Sequence, residues 1–167
     1  MSFKYTIEET QLKGVKVFTP DKFTDYRGTM WTHWEKDMNT PPHKISKFTH
    51  SRKNVLRGLH GDNETWKHIT CVYGAFYLVV VDYDKDSPTY LQWDSFTLDD
   101  KNCKSVLVPP GFLNGHLCLS DECVFHYTQS YPNEYVDWQD QMSVNWNDPA
   151  LKINWPIDNP ILSERDK

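Results

Sequence analysis

Several side chains stand where proton chemistry on a small polar substrate could be done. His60 ends the run Val55-Leu56-Arg57-Gly58-Leu59-His60, and Gly61 follows it. Glycines beside a strand-end histidine permit close backbone approach by a ligand. A neutral imidazole is a good general base near pH 7. Lys67 comes seven residues later, across the polar turn Gly61-Asp62-Asn63-Glu64, so one hairpin can bring it to the same end as His60. A lysine there can stabilise a developing oxyanion. Tyr127 lies in an extended run, residues 123–129, where alternation groups it with Cys123, Phe125 and Gln129 and opposes it to His126. Its phenol, with a pKa of about 10, can serve as a proton donor to a carbanion. Taken singly, each has an ordinary reading: a hydrogen-bonded surface histidine, a solvated lysine, a core tyrosine.

The segment Val108-Pro109-Pro110-Gly111-Phe112-Leu113-Asn114-Gly115-His116 tests for a metal. A metal-binding barrel of the cupin type needs two nearby histidines on one strand, an acidic residue soon after, and a third histidine after a Pro-x-Gly turn. Here His60 has no His-x-His partner, and Asn114 takes the third position. His60 and His116 are too few for a standard site, so no metal is expected. Asn114 and His116, two apart, share a face of an extended strand and are candidates for added donors to a substrate oxygen.

These residues need elements to hold them. Short β-like runs cover residues 14–18, 29–34, 45–50, 55–60, 67–73, 75–82, 89–96, 104–108, 116–119 and 123–129, punctuated by Gly, Pro, Asp and Asn. No segment holds a helical period beyond two turns. This pattern predicts one all-β domain over residues 1–167, a cupin-type jelly-roll β-barrel with its ligand in the mouth. The tail from Asp137 onward is expected to be irregular or short helical structure laid over the sheet. Strict alternation puts Arg57 on the face opposite His60, so Arg57 reaches a shared site only round the rim or through a bulge near Gly58.

Composition narrows the function classes. A net charge of −5 argues against a nucleic-acid groove, and no apolar run reaches the ~18 residues of a membrane span. No secretory signal is visible, so a cytoplasmic protein with reduced Cys71, Cys103, Cys118 and Cys123 is expected. Seven Trp and nine Tyr suggest a ring-lined pocket or interface.

The chain resembles the dTDP-4-dehydrorhamnose 3,5-epimerase family. The resemblance is carried by Phe23-Thr24-Asp25-Tyr26-Arg27-Gly28, Asn54-Val55-Leu56-Arg57-Gly58-Leu59-His60, Lys67, Asp86-Ser87-Pro88-Thr89-Tyr90, Pro110-Gly111-Phe112 and Leu119-Ser120-Asp121. It continues through Trp146-Asn147-Asp148-Pro149, Ile153-Asn154-Trp155-Pro156 and Leu162-Ser163-Glu164-Arg165-Asp166. Any one motif is weak; their order and spacing are specific. Departures occur at Gly61-Asp62, at Leu113-Asn114-Gly115-His116 and in residues 131–141, and the replacements at Gly61-Asp62 and Asn114-Gly115-His116 are expected to line the sugar pocket. Together with Thr70-Cys71-Val72-Tyr73-Gly74 and Glu134-Tyr135, they resemble a branch acting on GDP-linked 4-keto-6-deoxy-heptoses in capsule synthesis.

The resemblance implies a cofactor-independent epimerase of a nucleotide-diphosphate 4-keto-6-deoxy sugar, inverting C3, C5 or both. His60 matches the base, Asp166 its carboxylate partner, Lys67 the cation beside the C4 oxygen, and Tyr127 the acid on the other sugar face. Arg57 and Arg27 match diphosphate contacts, Arg27 as a residue donated by a neighbouring subunit of a homodimer. Asp166 can act only if Trp155-Pro156 and Ile161-Leu162 pin the C-terminal tail. A nucleotide-sugar 3,4-ketoisomerase and a non-catalytic sugar-nucleotide binding module are the alternatives. The first would yield a 3-keto sugar, and the second would bind without proton exchange.

Overall fold

The computed structural model describes residues 4–167. Thirteen strands follow one another: β1 (Tyr5–Glu9), β2 (Lys16–Pro20), β3 (Lys22–Asp25), β4 (Gly28–Trp31), β5 (Ile45–Arg52), β6 (Leu56–Gly61), β7 (Trp66–Tyr73), β8 (Ala75–Asp82), β9 (Trp93–Asp99), β10 (Ser105–Val108), β11 (Phe112–Cys118), β12 (Glu122–Ser130) and β13 (Met142–Ser143). The only helix among the described residues is a single 3-10 turn, Lys36–Met38. No helix there is long and apolar enough to cross a membrane.

A six-stranded sheet runs β1-β2-β10-β7-β12-β5, a five-stranded sheet runs β13-β6-β11-β8-β9, and β3-β4 stand apart as a two-stranded arm. All strand pairs are antiparallel. The two large sheets face each other across Ile69, Val106 and Phe125 on one side and Phe76, Leu78, Val80 and Leu98 on the other. This is an all-β cupin-type jelly roll. Strand β8 is buried on both faces. Val80 joins that inner core, while Val79 and Val81 join a second cluster with Leu56, Leu59, Leu113 and Leu117. Leu151, Trp155, Ile153 and Leu162 of the tail cover the second cluster, so the tail seals the outer face of the five-stranded sheet.

Several boundaries differ from the sequence reading. β1 and β3 were not anticipated, because mostly exposed residues such as Glu8, Glu9 and Lys22 give them no apolar alternation. Residues 32–34 leave the strand expected there. His33 instead stacks on His68, ring centroids 4.5 Å apart, on the side of the six-stranded sheet away from Phe125. The strand expected from residue 89 starts at Trp93, because Asp82 gathers the preceding loop by accepting from Asp84 N at 3.1 Å and Thr89 Oγ1 at 2.6 Å. β11 begins at Phe112, four residues before the expected start. All four cysteines are free and buried; Cys103 lies in a loop and the others in strands.

The position of Arg57 is settled by a bulge. Asn114 faces His60 and His116 faces Arg57, so Gly58 and Leu59 together oppose the single residue Gly115. The extra residue breaks the alternation, and Arg57 and His60 line the same cavity. Both glycines are required. Gly58 has φ +125°, and a Cβ there would stand 2.5 Å from Gly115 Cα and 2.8 Å from the Asn114 carbonyl oxygen. A Cβ on Gly115 would meet a Leu59 methyl at 2.9 Å and the Arg57 carbonyl at 3.0 Å. Gly58→Ala is therefore expected to cost about 2–4 kcal/mol. In a domain of this size that is a fall of roughly 5–15 °C in Tm, checked by thermal unfolding.

Candidate active site

A cavity of about 290 Å³ opens between the two sheets. Strands β6 and β11 of the five-stranded sheet contribute Arg57, His60, Asn114 and His116. Strands β5, β7 and β12 of the six-stranded sheet contribute Lys47, Thr49, Lys67, Phe125, Tyr127 and Gln129. His60 and Tyr127 thus enter one space from opposite walls.

The His60 ring is held at both nitrogens. Nε2 lies 2.7 Å from Asp166 Oδ1, and Nδ1 lies 3.2 Å from Ser143 Oγ. A carboxylate only accepts, so the network assigns the proton to Nε2 and leaves Nδ1 as the basic nitrogen, receiving the Ser143 hydroxyl. Asp166 is buried, which by itself would raise its pKa. The hydrogen bonds from His60, from Ser163 Oγ at 2.8 Å and from Gly58 N at 3.4 Å outweigh burial and hold the carboxyl below its ordinary range.

The tail is pinned as this role requires. Leu56 N donates to Ile161 O at 3.0 Å, and Ile161 N donates to Asn54 O at 2.8 Å. Trp155 is buried and its Nε1 donates to Trp146 O at 2.7 Å.

Lys67 is buried, and Nζ donates to Asn114 Oδ1 at 2.8 Å and to His60 O at 3.4 Å. Burial lowers its pKa to about 8, with Arg165 adding to the fall and Asp62 opposing it. Asn114 therefore presents its carbonyl oxygen to the lysine rather than acting as a second donor through that atom. His116 is buried and stacks on Phe125 with centroids 4.1 Å apart. Burial, with Arg57 nearby, lowers its pKa to about 3, so it is neutral. Tyr127 is half-buried, and burial raises its pKa against the opposing charge of Lys47. Arg57 is exposed at the cavity wall, its Nε donating to Ser51 Oγ at 3.1 Å.

One expectation needs correction. Gly61 and Asp62 are not among the cavity residues. The Asp62 carboxylate turns into its own hairpin and accepts from Glu64 N at 2.9 Å and Thr65 N at 2.7 Å. Arg27, expected as a residue donated to a neighbouring subunit, does not line the cavity of its own chain. It sits on the β3–β4 arm, paired with Asp25 at 2.6 Å beside exposed Phe23, Tyr26 and Met30. Sequence reasoning missed Lys47, Gln129, Ser143, Arg165 and the loop residues Tyr135, Asp137, Trp138 and Gln141. Alternation in β5 could have found Lys47 and Thr49. The loop residues carry no periodic signal.

The family model described as dTDP-4-dehydrorhamnose 3,5-epimerase matches residues 9–167. The chain belongs to that family. A dTDP-4-dehydrorhamnose 3,5-epimerase from Shigella flexneri is 32% identical, over 95% of this chain and 91% of its own. A solved dTDP-4-dehydrorhamnose 3,5-epimerase from Bacillus anthracis, with TDP and PPi bound, matches with a TM-score of 0.91 at 32% identity, covering 98% of this chain and 97% of that one. A Legionella pneumophila dTDP-6-deoxy-D-glucose-3,5-epimerase in complex with dTDP-4-keto-L-rhamnose matches at 0.90 and 28% identity, covering 98% and 90%. This member of the family is a sugar-nucleotide epimerase, an isomerase of the racemase and epimerase class.

The Lys67 geometry generates a pH prediction. A cation useful for an oxyanion must be protonated, and its pKa of about 8 keeps that form below the value and removes it above. The kcat/KM of the free enzyme is expected to fall about tenfold per pH unit above that point. Lys67→Met should cost ~10²–10³ in kcat, as loss of an oxyanion donor typically does, and should abolish this limb of the steady-state pH profile.

Proposed function

We propose that the chain inverts C3, C5 or both of a nucleoside-diphosphate 4-keto-6-deoxy sugar through an enolate. The single observation that carries this reading is the entry of the Asp166-oriented His60 and of Tyr127 into one cavity from opposite sheets. His60 Nδ1 takes the proton from the carbon beside the C4 ketone. The electron pair moves to the C4 oxygen, where the Lys67 ammonium meets the charge. Tyr127 then gives its proton to that carbon from the other face, and the ketone re-forms with the configuration inverted. Inversion needs a second group opposite the base, and racking both proton carriers on one wall would only return the starting epimer. The substrate's own ketone serves as the electron sink, so these steps need no cofactor.

Arg57 is the candidate for the diphosphate. A homodimer in which the β3–β4 arm carries Arg27 to the partner's cavity is supported by the exposure of Phe23, Tyr26 and Met30 on that arm. The solved relatives named above hold thymidine nucleotides or a dTDP-sugar, which favours dTDP. The GDP-linked heptose reading rests on Asn114 and His116, which line the cavity, and on the loop of residues 131–141, which supplies Tyr135, Asp137, Trp138 and Gln141. Gly61 and Asp62 lend it nothing.

Proton NMR in D₂O tests the proposal, with GDP- and dTDP-linked 4-keto-6-deoxy sugars as substrates. Deuterium is expected at C3, C5 or both with at least one of them, and exchange with one nucleotide only assigns the base. His60→Ala should lose exchange by ~10²–10⁴. Tyr127→Phe should keep exchange and lose inversion. A 3-keto product would instead identify a ketoisomerase. Binding without exchange in the wild type would identify a binding module.

A further inference from the structure

The wall that carries Tyr127 also carries a cation that the steps above leave without a task. In the pairing of β12 with β5, Lys47 stands directly opposite Tyr127, and both side chains line the cavity. Directly opposed residues on antiparallel strands have Cβ atoms about 4.5–5.5 Å apart. The Lys47 ammonium is not left to swing. Nζ donates to Tyr135 Oη at 2.6 Å and lies 4.3 Å from the centroid of that ring. Its fixed partner is a neutral phenol rather than a carboxylate, so its charge is not cancelled where Tyr127 would use it.

The demand for that charge follows from the chemistry. A tyrosine that gives up its proton becomes a phenolate, and burial at Tyr127 disfavours that anion. Lys67, the other lysine of the cavity, is committed to Asn114 Oδ1 and the His60 carbonyl. The charged and titratable groups around Lys47 are Tyr127 on β12 with Tyr135 and Asp137 on the 131–141 loop. Around the rest of the cavity stand Lys67, Arg57, His60, His116 and Arg165. Partial burial works against the Lys47 charge, but the bond to Tyr135 and the fields of Tyr127, Tyr135 and Asp137 more than restore it, so Lys47 stays cationic through the neutral range.

We propose that Lys47 is the positioning residue for the Tyr127 acid: its ammonium, fixed by Tyr135, stabilises the phenolate left when Tyr127 protonates the substrate carbanion. In that step the Tyr127 O–H bond breaks with its electron pair left on oxygen. The enolate pair forms the new C–H bond, and the C4 carbonyl re-forms. The phenolate then recovers a proton from water while the His60 imidazolium returns its own to solvent, and Lys47 keeps its proton throughout. This role rests on the epimerase reading above.

The test compares wild type, Lys47→Met, Lys47→Gln, Lys47→Arg, Tyr127→Phe and the double variant Lys47→Met/Tyr127→Phe. Each is assayed in D₂O for exchange and for inversion, with KM and a pH profile for inversion. Both neutral variants should keep His60-dependent exchange within about threefold and lose inversion by on the order of 10- to 100-fold. KM should move by less than about threefold, and Lys47→Arg should recover most of the loss. The double variant should invert no more slowly than Tyr127→Phe alone, because the two residues act as one unit. A rise in KM with kcat intact would overturn the proposal and make Lys47 a diphosphate contact. Equal losses of exchange and inversion, or additive penalties in the double variant, would also overturn it. An inert wild type would overturn the epimerase reading itself, whereas an active wild type indifferent to Lys47 would overturn this role alone.

Discussion

The chemistry of the cavity depends on a carboxylate one residue from the C-terminus. Asp166 can only accept a proton donor, and by taking Nε2–H of a histidine 106 positions away it decides which nitrogen of His60 is left basic. Without it the ring would keep only its Ser143 contact, which a hydroxyl makes as donor or acceptor and which leaves the tautomer open. A buried carboxylate is costly unless its lone pairs are filled, and three donors fill them here: the imidazole, the Ser163 hydroxyl and the Gly58 amide. The third donor exists only because the bulge in β6 turns the backbone at Gly58, and the bulge exists only because Gly115 leaves room for it. The tail, the bulge and the His60 ring therefore form one device. The apolar contacts of Trp155 and Leu162 with the outer face of the five-stranded sheet hold the carboxylate against the His60 ring.

This dependence explains what could be read from the chain and what could not. β5 to β8 and β10 to β12 carry period-two or continuous apolar patterns that burial imposes, and the sequence reading finds all of them within a few residues. The half-exposed arms β1 and β3 bury too little to leave such a pattern. His60, Lys67, Tyr127 and Asn114 were legible because their hairpins and strand faces follow from local spacing. The direction of Arg57 stayed open between the rim and a bulge near Gly58, since a bulge is a property of two strands together: Gly58 and Gly115 are 57 positions apart, and only their register decides. Asp62 was misread for a related reason. A polar residue after a strand-end histidine suits a substrate pocket or an Asx turn equally well, and only the positions of the Glu64 and Thr65 amides decide for the turn.

The electrostatics of the cavity run against the charge of the chain. A protein of net charge −5 lines this space with Lys47, Arg57, Lys67 and Arg165 and a single carboxylate, Asp137. Burial lowers the hold of the deepest of them, Lys67, on its proton, with Arg165 adding to the effect and Asp62 opposing it. Under the proposed function, a diphosphate held by Arg57 would bring negative charge into this space and favour the protonated form of Lys67. The free protein tolerates the arrangement because the Asn114 carbonyl and the His60 backbone oxygen hold the lysine meanwhile. On this account Asn114 stands after the Pro-x-Gly turn as the acceptor for a buried ammonium, a task for which its amide oxygen is suited and a neutral histidine donating through its N–H is not.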